Sequence, residues 1–143
     1  VKSATIYERD GKLIVHSQAK TTADLWLLSP PILTPNIEDE SDVGRAVTAC
    51  LSQSVEGIPH PNSFANLFRP LLKVAGVNSY RAFAKSAKCV QIETGDDLTV
   101  TFLATRNLGV REGFVPLSKK AVAKLGSNEK LGSAAIAALA MSE

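Results

Sequence analysis

The chain has 143 residues, 45% of them hydrophobic and 21% charged, with a formal net charge of +2 at pH 7. That length suits one ordinary hydrophobic core and not two, and so small a charge does not imply a nucleic-acid or membrane partner, which a strongly basic face or tail usually announces. The charge is unevenly spread: no Lys or Arg falls between Lys20 and Arg45, where Asp24, Glu38, Asp39, Glu40 and Asp42 lie, whereas Lys and Arg predominate from Arg106 onward.

Thr5–Arg9 and Lys12–Ser17 flank Asp10-Gly11, the dipeptide of a two-residue type I′ hairpin turn, in which both central residues need positive φ. Ala23–Leu28 reads as a third strand ending at Ser29-Pro30-Pro31, with Ile32 and Leu33 extending the pairing briefly. The acidic run Glu38-Asp39-Glu40-Ser41-Asp42 precedes Val43, Ala46, Val47, Cys50 and Leu51, an apolar stripe at helical spacing. Ser41 or Asp42 is the expected N-cap, with the helix running to about Gln53.

Gly57-Ile58-Pro59-His60-Pro61 reads as a turn that no helix can cross. Beyond it Asn62 and Ser63 can cap a helical turn, and Phe64, Leu67, Phe68, Leu71, Leu72 and Ala75 recur at helical spacing. Pro70 implies a kink, or two short helices with the proline in the first turn of the second. Gly76 is the natural terminator, and Ser79 caps a further short helix with Tyr80, Phe83 and Ala87 on one face and Arg81, Lys85 and Lys88 toward water.

Cys89–Glu93 and Leu98–Phe102 alternate about Gly95-Asp96-Asp97 as a second hairpin. A glycine-punctuated loop follows from Arg106 to Gly113, Phe114–Leu117 returns to the sheet edge, and Ser118 caps a short helix carrying Val122 and Leu125 and ending at Gly126. Ser127 or Asn128 starts a final alanine-rich helix. Two hairpins separated by helices, without regular β-α-β alternation, give an α+β fold: one domain whose mainly antiparallel sheet carries helices packed on it.

Little in this inventory points to catalysis. His16 and His60 have no metal-ligand spacing with each other or with Cys50 and Cys89, so neither a metal nor a cofactor is expected. The cysteines sit in apolar patterns, where a free thiol acts as a small hydrophobe. No Gly-x-Ser-x-Gly elbow occurs, and Asn107–Gly113 lacks the lysine and following helix of a phosphate loop. Lys119, Lys120 and Lys124 lack interleaved aromatics and read as a solvated face, not a nucleic-acid surface. The opening residues lead into alternation and the longest apolar run, Ala134–Met141, is well short of the roughly 20 residues of a membrane helix, so a cytoplasmic protein without a membrane partner is expected.

Glu56-Gly57-Ile58-Pro59-His60-Pro61, then Pro70–Phe83, then Arg106-Asn107-Leu108-Gly109 and Glu112-Gly113-Phe114, resemble in order and spacing the immunity proteins of contact-dependent growth inhibition systems, over roughly Ile6 to Leu117. The resemblance implies a small cytoplasmic protein without catalysis of its own. It would bind and block the C-terminal toxin domain delivered by neighbouring cells, in these systems often a nuclease. A nuclease presents a basic cleft to phosphates, so Glu38, Asp39, Glu40 and Asp42, with Asp96 and Asp97 of the second hairpin turn, are the candidate toxin contacts. The alternative is a small enzyme or ligand-binding domain with a pocket near His60 and Arg111.

Overall fold

A computed structural model describes residues 1–143. β1 (Lys2–Arg9) and β2 (Lys12–Thr21) form the first hairpin, and Asp10 and Gly11 take φ of 53° and 75°, as the type I′ turn requires. β3 (Trp26–Leu33) pairs antiparallel with β2 and runs through Ser29-Pro30-Pro31, where the sequence suggested an end. It can do so because it is an edge strand: the pairing shifts register between His16 and Ser17, opposite the prolines, whose missing N–H groups break no interior ladder.

α1 (Glu40–Ser52) is capped by Asp39, whose side chain accepts from the backbone N–H of Asp42; the expected Ser41 and Asp42 lie inside the first turn instead. β4 (Val55–Ile58) then pairs parallel with β2 at Ala19–Thr21. Gly57-Ile58 is therefore strand and not turn. β1 pairs with β2 only as far as Gln18, and β4 takes up the backbone groups of β2 left free beyond it.

The expected helix at Phe64–Phe68 is only a turn. α2 (Arg69–Ala75) starts at Phe68 as cap, holds Pro70 in its first turn and closes on Gly76 at φ 74°. α3 (Tyr80–Ala84) is capped by Ser79, which accepts from the Ala82 N–H as expected. β5 (Lys88–Thr94), β6 (Thr99–Asn107) and β7 (Phe114–Lys124) complete the sheet in the order β3-β2-β1-β5-β6-β7, and α4 (Asn128–Met141) follows, capped by Ser127.

The short helix expected from Ser118 to Gly126 does not form: those residues up to Lys124 are the second half of β7. Their true period is two. Ala121, Ala123 and Leu125 pack toward the core, while Lys120, Val122 and Lys124 are exposed. Pro116 and the lysines suit an edge strand, where they discourage pairing with another chain.

The sheet separates two apolar layers. α1 and α4 cover one face, burying Ile6, Val15, Val90, Ile92, Val100 and Phe102 against Val43, Val47, Leu131 and Ala135. α2 and α3 cover part of the other, where Tyr7, Ile14, Leu71, Phe83 and Cys89 are buried. Cys50 and Cys89 thus lie in separate layers and are free thiols. Beyond α2 and α3 this second face is open, and Trp26, Gln91, Glu93, Thr101 and Leu103 line a shallow cavity of about 160 Å³ there.

Candidate functional site

The acidic run is built around the start of α1. Asp39 Oδ1 accepts from the Asp42 N–H at 3.1 Å, and Asp42 Oδ2 accepts from the Asn36 N–H at 2.8 Å. Asp42 Oδ1 also meets Arg45 Nη1 at 3.1 Å, one helical turn on. Two of the four carboxylates therefore organise the helix entry, where the partial positive charge of the N-terminus favours them. Glu38 and Glu40 are exposed and make no ion pair.

Asp96 and Asp97 are exposed on the β5–β6 turn, at the end of the sheet where β1 begins. Asp97 accepts from the Thr99 N–H and Oγ1–H at 3.1 and 3.0 Å, and those bonds hold its carboxyl below the usual range. The acidic run follows β3 from the opposite end, where the first hairpin turns. The two acidic groups lie at opposite ends of the sheet and are separate patches.

His60 and Arg111 are not brought together. His60 Nδ1 is 2.9 Å from Thr21 Oγ1, beyond the end of β2, and its ring packs edge-on against Phe64 at 5.5 Å. Arg111 lies in the β6–β7 loop at the other end of the sheet. Neither lines the larger cavities, so the two do not share a pocket of the kind expected near them. No group of three His, Cys, Asp or Glu could hold a metal, and no helix is long and apolar enough to cross a membrane.

Three buried side-chain atoms, Arg9 Nε, Ser17 Oγ and His16 Nε2, have no hydrogen-bond partner, and the imidazole is the one whose chemistry needs weighing. His16 is only 2% exposed; its Nδ1–H donates to the Ser17 carbonyl at 2.8 Å, and Nε2 has no partner. Burial lowers its pKa to about 4, so the ring is neutral at pH 7. It packs 5.6 Å from the Tyr7 ring and faces no second titratable side chain by hydrogen bond, an arrangement that suits a core residue and not a general base. Burial likewise pushes the Cys50 thiol up to about 12 and raises that of Cys89, so neither is a ready thiolate nucleophile.

The feature that sequence patterns hid is a groove where α3, the start of β5 and the end of β6 meet. Arg81, Lys85, Lys88, Asn107 and Glu143 line a cavity of about 750 Å³. Asn107 ties it together: Nδ2 donates to the carbonyls of Ala84 at 2.6 Å and Ala87 at 2.9 Å, and Oδ1 accepts from the Gly109 N–H at 2.9 Å. Arg81 and Lys85 at i, i+4 signal an exposed helix face, but nothing local in the sequence announces Lys88 and Asn107 beside them.

No family model matches this sequence, and no curated protein matches it. Solved structures do. A protein of unknown function from Neisseria meningitidis superposes with a TM-score of 0.80 at 16% identity, covering 99% of this chain and 95% of that one. A chain of the CdiA-CT/CdiI toxin and immunity complex from Yersinia pseudotuberculosis superposes with a TM-score of 0.79 at 17% identity, covering 99% of this chain and 97% of that one. The fold is one found in a toxin and immunity complex. The likeness extends over nearly the whole of each chain, so the seven-stranded sheet and its helices are shared as an architecture and not as an isolated motif.

Proposed function

We propose that this chain is an immunity protein of a contact-dependent growth inhibition system, which binds the C-terminal toxin domain in the cytoplasm and blocks it without catalysis of its own. The observation that carries the reading is the end-to-end match to a chain of the Yersinia complex. The motif order that resembles immunity proteins supports the immunity side over the toxin side. The scattered histidines and the protonated buried thiols are compatible with a binding protein.

The toxin is read as a nuclease with a basic substrate cleft. Carboxylates on a rigid helix entry occupy such a cleft in place of phosphates, speeding encounter and fixing orientation. Glu38 and Glu40 are free for this role; Asp39 and Asp42 add charge while holding the helix entry, and Asp96 and Asp97 would form a second, smaller contact. The test is co-expression with the toxin domain encoded just upstream. Joint purification and rescue of growth are expected; toxicity unchanged by the chain, with no complex recovered, refutes the reading.

A further inference from the structure

The groove bounded by α3 has a charge that the acidic surfaces do not account for. Arg81, Lys85 and Lys88 line it, and none of the three makes an ion pair. Its one lining acidic side chain, Glu143, is already engaged: Arg106 Nη2 lies 2.7 Å and Lys119 Nζ 3.7 Å from it. Hydrogen bonding and charge from Arg106, then the charge of Lys119, hold that carboxyl below its usual range. Glu8 stands opposite Lys88 in the β1–β5 register, and no ion pair joins them. Three unmatched cations therefore surround an open cavity of about 750 Å³, room for several residues of polypeptide.

The walls are fixed before anything binds. Asn107 holds the last carbonyl of α3, that of Ala84, and the Ala87 carbonyl just before β5 against β6. On the far side Glu143 N–H donates to the Thr105 carbonyl at 2.9 Å and the Asn107 N–H to the Glu143 carbonyl at 2.8 Å, so Glu143 is laced to β6. A preformed cationic groove loses less entropy on binding than one assembled by its ligand. Glu143 shows the chemistry in miniature, a carboxylate seated between a guanidinium and an ammonium at the rim.

We propose that this groove is a second contact site for the toxin, receiving a carboxylate-bearing segment that lies outside the toxin's basic cleft. The proposal rests on the immunity reading. A protein segment fits better than nucleic acid: the lining holds no aromatic on which a base could stack, and its apolar residues are Ala84, Ala87 and Val110. The chain's net charge of +2 also gives no extended field for a polyanion. With acidic patches elsewhere on the molecule, a cationic groove fixes the rotational register of a partner that the acidic surface alone would only attract.

The test compares the wild-type chain with an Arg81→Glu/Lys85→Glu/Lys88→Glu variant in binding to the upstream-encoded toxin domain, at low and high NaCl. Loss of affinity on the order of tenfold or more, shrinking as salt rises, is expected. An Arg81→Gln/Lys85→Gln variant, altered only on exposed helix positions, should show a smaller loss in the same direction and guards against misfolding of the first. Equal affinity for wild type and both variants overturns the groove contact while leaving the immunity reading intact; failure of the wild type itself to bind overturns both. Binding of a labelled single-stranded RNA that the charge reversals abolish, with toxin affinity unchanged, also overturns it and makes the groove a nucleic-acid site.

Discussion

Protonating His16 would place a second N–H inside the second apolar layer, where Nε2 has no acceptor. Its folded pKa of about 4 lies below the unfolded value near 6.5, so between those values the unfolded chain binds the extra proton. The stability that neutral His16 protects is fully present above about pH 6.5 and is lost as pH falls toward 4. Between pH 7 and pH 5 urea unfolding should show a fall of about 2 kcal/mol, which His16→Phe should flatten; a wild-type curve flat over that interval contradicts the assignment. Capping and recognition also separate at single residues. Asp39→Ala removes the cap of α1 and should cost about 1 kcal/mol. Glu38→Lys touches no intramolecular bond, should leave stability within about 0.5 kcal/mol, and should slow toxin association measured by stopped flow. At this scale the sequence showed the acidic residues but not their division of labour: which carboxylate caps depends on where the chain leaves Asn36, and that is set by β3.

α1 and α4 approach more closely than side chains allow. A Cβ on Gly44 would stand 1.7 Å from the Asn128 carbonyl oxygen, and one on Gly132 would stand 1.8 Å from that of Glu40. The helices therefore cross antiparallel, backbone on backbone, and Thr48 Oγ1 reaches Asn128 Oδ1 at 3.2 Å beside the crossing. Gly44→Ala would improve helix propensity in isolation. Here it must force the helices apart, and it should cost upwards of about 3 kcal/mol in the urea midpoint, with unchanged slope; a neutral or stabilising result contradicts the crossing. Elements whose local signals agreed were legible: the Asp10-Gly11 hairpin, the Pro70–Gly76 helix and the Ser79 cap all fold where their residues direct. β7 was not, because Val122 and Leu125 mimic a helical step while Ala121, Ala123 and Leu125 carry the strand period, and only β6 alongside decides between them. β4 was hidden for a similar reason: four residues beside two prolines become a strand only because β2 outruns β1.

At the scale of the molecule, charge is arranged on a frame that the sequence largely specified. α+β class, two hairpins and antiparallel pairing follow from turn dipeptides and alternating residues, and the structure has them with more strands added around. The candidate surface was less legible, since the second acidic turn and the acidic run are near in neither sequence nor structure, and the cationic groove joins residues 81–88 to Asn107 and Glu143. Such juxtapositions are tertiary, and composition cannot reveal them. On the proposed function, this chain silences a toxin by binding it. The most direct measurement is the activity of the purified upstream-encoded toxin domain as this chain is titrated in. Activity falling to background near one equivalent is predicted; full activity in the presence of excess folded chain would contradict it.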